Sequence, residues 1–224
     1  MNVFQKLRSY VFSSTRRIAS DFNGELEVTL INGRKVLDSA HANYSYGSLQ
    51  RILRFALQQI DLGGVKSVLL LGLGGGSVVA TLRQEFAFGG HITAVDLDPA
   101  VIRIAAEEFG IVPDDNLAVF CADAQEYLRC HPARHDLVIV DVFIDNQVPA
   151  PFLAPEFWQL VAQRVAPVGV VVFNSMRATG NAARVSTLLH GLDFAVQEFR
   201  RVEKTNTLLV GRRTPPPAGP GAGE

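Results

Sequence analysis

The chain has 224 residues, 48% of them hydrophobic, and 21 Lys and Arg against 22 Asp and Glu give a formal charge of -1. That length can bury a full core as one large domain with a small appendage, and the near-neutral charge excludes whole-molecule attraction to nucleic acid or to an anionic membrane surface. No run approaches the apolar length of a membrane span, and Lys6, Arg8, Arg16 and Arg17 surround only short apolar runs, without a signal-peptide core. The expectation is a cytoplasmic protein.

Residues 1–46 read as an N-terminal β appendage. Residues 25–31 alternate apolar and polar, Asn32-Gly33 is a hairpin turn signal, and residues 34–37 return. Residues 48–60 follow with helical periodicity, placing Leu49, Ile52, Leu53, Ala56 and Ile60 on one face. The main domain is expected over residues 47–213. Leu69, Leu70 and Leu71 form a continuous apolar run, the pattern of a parallel strand buried on both faces. Further strands are predicted at 91–96, 117–121, 137–141 and 168–174, with helices at 100–109, 124–130, 156–165 and 181–190. Alternating strands and helices imply a doubly wound α/β fold. Residues 194–202 and 207–211 are close enough to pair as a closing antiparallel hairpin, which makes a seven-stranded, mostly parallel sheet. Residues 214–224 (TPPPAGPGAGE) have too little apolar surface to offset their ordering entropy and are expected to be disordered.

Cys121 and Cys130 are too few and too poorly spaced for a disulfide framework or a zinc site, so both are expected to serve as small buried hydrophobes. The five histidines show no ligand spacing, and no metal is expected. Phe152, Phe157 and Trp158 could pack the core, line an acceptor pocket or form a subunit contact; Trp at helical spacing is most often core.

The chemistry concentrates after the first long apolar run. In LGLGGGS, Gly72, Gly74, Gly75 and Gly76 let the backbone turn sharply and approach a ligand, while the next helix points free N–H groups at the site. Asp96 lies 24 residues after Gly72 at the end of the next strand, where a carboxylate can accept hydrogen bonds from two ribose hydroxyls. Asp98, before Pro99, reads as a helix cap. Asp123 in CADAQEYL either accepts from an adenine amino group or caps the helix it opens with Glu126, and one residue can do both. Asp141 ends the fourth strand at the carboxyl edge of the sheet, and Asp145 follows four residues later. A carboxylate there holds an ammonium group or takes a proton from an attacking amine; the alternative is a turn-forming aspartate. Ser77 stands where the dinucleotide fingerprint has glycine or alanine, which places an NAD-dependent oxidoreductase behind the other readings.

Five parallel strands closed by an antiparallel pair resemble the S-adenosylmethionine-dependent methyltransferase fold. The runs VLLLGLGGGS, AVDLDPAVIRIA, CADAQEYL and DLVIVDVFIDNQVPAPFLAPEFWQLVAQRVAPVGVVVFN resemble the spermidine synthase family, and with the upstream hairpin and LDSAHANYSYG the likeness covers roughly residues 24–212. The resemblance implies a class I methyltransferase-type (Rossmann-like) fold and a donor that is S-adenosylmethionine or its decarboxylated form. It places Gly72, Gly74, Gly75, Gly76, Asp96, Leu97, Asp123, Ala124 and Asp141 around the donor. It gives Asp96 the ribose, Asp123 the adenine, Asp141 the role of base or amine anchor, and Tyr46 the acceptor side. The alternative for Tyr46 is packing between appendage and main domain. A small-molecule acceptor and a homodimer follow from the same likeness.

The chain also departs from that family. Gly75 stands where the family's loop has an aspartate that binds the donor's aminopropyl ammonium, and Tyr46 is followed by Gly47 and Ser48 rather than by histidine or glutamine and then glutamate. Asp145 comes one residue later than the family's second aspartate. An aspartate in the loop would repel a donor carboxylate. Its absence favours ordinary S-adenosylmethionine, with methyl transfer to a small or amine-bearing acceptor as the leading expectation. Aminopropyl transfer from the decarboxylated donor is the alternative, and a non-catalytic nucleoside-binding module a second one.

Overall fold

The computed structural model describes residues 7–39, 43–144 and 147–214. Asp145 and residues 215–224 lie outside them. Two sheets result. The first is antiparallel and comprises β1 (Ser14–Ser20), β2 (Gly24–Ile31), β3 (Arg34–Asp38) and β4 (Asn43–Ser45), hydrogen-bonded in chain order. The predicted hairpin is its β2–β3 pair, with Ile31 opposite Arg34. Asn32 and Gly33 both have positive φ, 49° and 72°, as a two-residue hairpin turn with the right twist requires. Strand β1 left no mark in the pattern because its residues are almost all exposed.

The α/β domain runs α1 (Gly47–Gln58), β5 (Ser67–Leu71), α2 (Ser77–Gln84), β6 (His91–Asp96), α3 (Pro99–Phe109), β7 (Leu117–Cys121), α4 (Ala124–Cys130), β8 (His135–Val140), α5 (Pro155–Arg164), β9 (Val165–Met176), α6 (Asn181–His190), β10 (Phe194–Val202) and β11 (Asn206–Arg213). Sheet order is β10-β11-β9-β8-β5-β6-β7, with β5 to β9 parallel and β11 antiparallel to both β9 and β10. This is the seven-stranded Rossmann-like sheet of the class I methyltransferase fold. The order reverses between β5 and β8, which opens the crevice where such sheets take ligands.

Each central strand feeds two cores. Val68 and Leu70 pack with Ile52, Leu53 and Leu82, whereas Leu69 and Leu71 pack with Val138, Phe157 and Trp158. Successive strand side chains point to opposite faces, so a sheet covered on both sides needs apolar residues without interruption. Trp158 belongs to the core; it is fully buried and its Nε1 donates to the carbonyl of Phe152 at 3.0 Å.

The N-terminal sheet docks on α3, where Leu26, Val28 and Leu37 meet Val101 and Ile104. Lys35 and Arg16 pair with Glu108 of α3 at 2.7 and 2.8 Å. Each buried aliphatic contributes roughly 2 kcal/mol and each partly exposed ion pair about 1 kcal/mol or less. The apolar contact therefore dominates the attachment.

One expectation is corrected. Cys121 and Cys130 are both exposed rather than buried. Cys121 ends β7, an edge strand whose last two residues face outward, and Cys130 is the last residue of the short α4.

Candidate active site at the sheet switch point

Gly72 leaves β5 with φ +94°, its N–H donating to the carbonyl of Val95 at 2.8 Å. From neighbouring β8, the Asp141 N–H donates to the carbonyl of Leu71 at 2.8 Å. These two bonds set the ends of β5, β6 and β8 side by side. Asp96, at the end of β6, then orders the glycine loop: its Oδ2 accepts from the N–H groups of Leu73 (2.9 Å) and Gly74 (3.1 Å), and its Oδ1 from that of Asp98 (3.0 Å). An ionised carboxylate offers about four acceptor positions, so roughly one remains for a ligand. Burial pushes its carboxyl up to about 6, against the pull of the three backbone donors.

Asp98 caps α3, accepting from the Ala100 N–H at 2.8 Å. Its Oδ2 also accepts from Ser20 Oγ and, at 2.8 Å, from Asn23 Nδ2. Ser20 ends β1 and Asn23 lies in the β1–β2 connection, so the cap of α3 doubles as the clasp that brings Phe22 and Asn23 to the rim of the crevice.

Asp141 follows β8. Its Oδ1 accepts from Asn174 Nδ2 at 2.9 Å, and Asn174 Oδ1 accepts from Asn206 Nδ2 at 2.8 Å. Burial raises the Asp141 carboxyl to about 6; the bond from Asn174 works against that rise and the Asp96 charge adds to it.

These groups line a cavity of about 310 Å³, at the small end of the usual range for small-molecule sites. Its wall includes six of the sequence-predicted residues: Gly72, Gly74, Asp96, Leu97, Ala124 and Asp141. Its charged lining side chains are Asp96, Asp98 and Asp141, and no described lining residue is basic. Apolar walls come from Leu49, Ile52, Val142, Phe143, Ile144 and Phe152.

Four predicted residues sit elsewhere. Asp123 caps α4, its Oδ1 accepting from the N–H groups of Gln125 and Glu126 at 2.8 and 3.0 Å. Gly76 is the left-handed cap before α2, and a Cβ there would run into Ile111. Gly75 faces the N-terminal sheet, where a Cβ would stand 2.9 Å from Cβ of Ser45 and 3.1 Å from Cε2 of Phe109. Tyr46 stacks on Phe109 with ring centroids 4.5 Å apart, and burial pushes its hydroxyl up to about 12. Tyr46 is not on the cavity wall, which Ser48 and Leu49 line.

Sequence reading missed Asn174, Asn206, Phe22 and Asn23. Asn174 did leave a signal: it is the one polar residue closing the apolar run VVVF at the carboxyl edge of β9. Asn206 and the β1–β2 connection left none, because nothing local in a turn announces what it will face.

The residues present suit an adenosyl sulfonium compound. Glycines without Cβ atoms face the cavity at Gly72 and Gly74, an acceptor position remains at Asp96, apolar side chains flank it at Leu97 and Val142, and carboxylates surround the place for positive charge. Among the described residues there is no group of three or more His, Cys, Asp or Glu able to hold a metal ion, and no helix is long and apolar enough to cross a membrane.

Known proteins bear on the same region. Residues 68–167 match the model of a family described as a methyltransferase domain. A polyamine aminopropyltransferase of Vibrio vulnificus is 31% identical over 111 residues, 48% of this chain; the match spans only 37% of that relative's length. The structure of human methyltransferase-like protein 13 in complex with SAH superposes with a TM-score of 0.60 and 25% identity, covering 75% of this chain and 79% of that one. A probable spermidine synthase from Corynebacterium glutamicum superposes with a TM-score of 0.63 and 20% identity over 90% of this chain and 77% of that one. Fold and site together define a protein of the fold superfamily that holds the S-adenosylmethionine-dependent methyltransferases and the spermidine synthases. Within it, the chain resembles aminopropyltransferases and methyltransferases alike.

Proposed function

We propose that this protein is an aminopropyltransferase, which moves an aminopropyl group from decarboxylated S-adenosylmethionine to an amine acceptor and so makes a polyamine. The observation that carries this reading is the charge of the cavity: three aspartates and no basic side chain among its described lining residues. The decarboxylated donor is a sulfonium with an ammonium and no carboxylate, and its acceptor is also cationic, so each gains from acidic walls. A donor with a carboxylate would meet those walls without a cationic partner. The reach of the fold likeness supports the same choice. The spermidine synthase superposition takes in 90% of the chain, more than the α/β domain alone provides, against 75% for the methyltransferase.

When bound, the sulfonium supplies an activated carbon. The chain's own residues do the rest. Asp96 and the backbone of the glycine loop hold the nucleoside, and Asp141 holds the acceptor ammonium and takes one proton from it. The freed amine attacks the carbon next to sulfur, the new C–N bond forms as the C–S bond breaks, and sulfur leaves as a neutral thioether. A carboxyl raised to about 6 lies closer to an amine's own range than an ordinary aspartate does, which eases the transfer. Alignment of the two substrates supplies most of the remaining acceleration.

A second reading, methyl transfer from S-adenosylmethionine to an amine, is favoured by one observation. The loop position that is aspartate in spermidine synthases is Gly75 here, and Ser45 and Phe109 already fill the space a side chain would need.

The test is to supply putrescine with decarboxylated S-adenosylmethionine or with S-adenosylmethionine and to follow methylthioadenosine and S-adenosylhomocysteine by chromatography. Methylthioadenosine and spermidine that disappear in Asp141→Asn are the expected result. S-adenosylhomocysteine alone establishes the methyl reading, and neither product from any amine tested overturns both.

A further inference from the structure

The carboxamides behind Asp141 form a chain with one direction. Thr205 Oγ1 donates to Asn206 Oδ1 at 2.8 Å, Asn206 Nδ2 to Asn174 Oδ1 at 2.8 Å, and Asn174 Nδ2 to Asp141 Oδ1 at 2.9 Å. Asn174 is fully buried and Asn206 nearly so, at 0% and 5% exposure. They come from β9 and β11, adjacent antiparallel strands in which Asn206 sits opposite Met176 at the carboxyl end of the parallel sheet.

The direction matters because a carboxamide can turn over. If Asn174 turned, its oxygen would face the Asp141 carboxylate and its NH₂ would face the NH₂ of Asn206, so both contacts would become repulsive. Thr205 Oγ1 could accept from a turned Asn206, its own proton going to the Glu203 carbonyl at 3.4 Å, so the direction of the chain is fixed at its other end, where a turned Asn174 would set its oxygen against the Asp141 carboxylate. Asn206 in this orientation donates to Asn174 Oδ1, and Asn174 presents a donor to one oxygen of Asp141. Oδ2 makes no bond to another described residue, and Asp141 lines the cavity.

We propose that Asn206 is a positioning residue for the transfer reaction: acting through Asn174, it keeps Oδ1 of Asp141 engaged and so leaves Oδ2 to hold and deprotonate the acceptor amine. The role in transfer rests on the function proposed above; the held geometry of Asp141 does not. The closing hairpin of the sheet thereby contributes to the site, whose wall Asn174, Thr205 and Asn206 share with Asp141. The turn that carries Thr205 is itself pinned, since Glu203 accepts from Arg51 of α1 at 2.7 and 2.9 Å.

A carboxylate that loses an oriented donor becomes harder to ionise. The other charged side chains on the described wall around Asp141 are Asp96 and Asp98, both acidic, so no cation compensates. The experiment is a titration of the aspartate side-chain carboxyl carbons by ¹³C NMR, with the Asp141 signal identified by its loss in Asp141→Asn, in wild type, Asn206→Leu and Thr205→Val. The wild-type midpoint is expected near 6, as burial sets it. Asn206→Leu should raise it by about half a pH unit or more, with Thr205→Val moving it less in the same direction. With putrescine turnover in hand, the acid limb of kcat should move by the same amount.

Midpoints unchanged in both variants overturn the proposal. Asn206→Ala, titrated alongside, decides the matter if Asn206→Leu does not fold. Absence of turnover with any amine sinks the proposed function instead, while the carboxyl titration still reports on the chain of carboxamides.

Discussion

Gly72 lies against the backbone of Asp141. A Cβ on Gly72 would stand 2.8 Å from the Asp141 carbonyl carbon and closer still to its oxygen, and Gly72 also holds φ at +94°. The first loop glycine thus sets the spacing between the glycine loop and the segment of Asp141. Gly72→Ala should lose about 3 kcal/mol of stability from the combined strain and overlap, measured by urea unfolding. Nucleoside binding should fall with it, and a fully stable Gly72→Ala would show that the approach of the two strands is not constrained.

Asp96 and Asp141 together predict an unusual pH profile. Burial holds both carboxyls at about 6 in the folded protein, against an ordinary value of 3.8. The unfolded chain therefore loses these protons first as pH rises. Their contribution to folding is full below about pH 4, is lost between about 4 and 6, and stays lost above. Asp141→Asn should accordingly be more stable than wild type at pH 7, by on the order of 1 kcal/mol, with the gap closing toward pH 4. Urea titrations at pH 4, 5, 6 and 7 check the sign.

The same two groups should make binding of a cation pH-dependent. Decarboxylated S-adenosylmethionine gains from ionised walls and neutral methylthioadenosine does not. The affinity ratio between them should be constant above about pH 7 and collapse as pH falls through 6. Calorimetry at both ends of that window is sufficient, and a ratio independent of pH would remove the carboxylates from cation binding.

Asp98 joins the two parts of the molecule through Ser20, Asn23 and the N–H of Ala100. Asp98→Ala removes a helix cap, typically about 1 kcal/mol, and hydrogen bonds to a charged group, about 1.5–3 kcal/mol each. The expected outcome is a protein destabilised by about 3 kcal/mol or more, with faster amide exchange localised to residues 14–38. Uniformly faster exchange would mean that the N-terminal sheet and the α/β domain open as one unit.

Tyr46 separates chemistry from packing. Stacked on Phe109 and absent from the cavity wall, it should tolerate Tyr46→Phe with turnover changed less than about twofold, while Tyr46→Ala loses about 3–5 kcal/mol of packing. A large loss of kcat in a stable Tyr46→Phe would return the hydroxyl to the acceptor side.

What could be read from the residues alone were features with a local cause. An uninterrupted apolar run such as Leu69, Leu70 and Leu71 has to be a strand covered on both faces, an Asn-Gly pair between alternating runs has to be a hairpin, and glycines after a strand have to be a sharp turn. Those signals carried the strand and helix sequence, and with it the side of the sheet where Gly72, Asp96 and Asp141 collect. The spacing of Asp123 before Glu126 likewise foretold its cap. Tertiary structure decided what each side chain faces. Gly75 could not be known to press on Ser45 and Phe109, nor Tyr46 to stack away from the cavity, because the docking of the N-terminal sheet on α3 sets both. The exposure of Cys121 depended on which strand ended up at the sheet edge. Asn174 and Asn206, 32 residues apart, meet only because β11 turns back to pair antiparallel with β9. Hydrogen bonds and charge act over a few ångströms of space whatever the separation along the chain, so the carboxamides that hold Asp141 come into being only when the sheet closes.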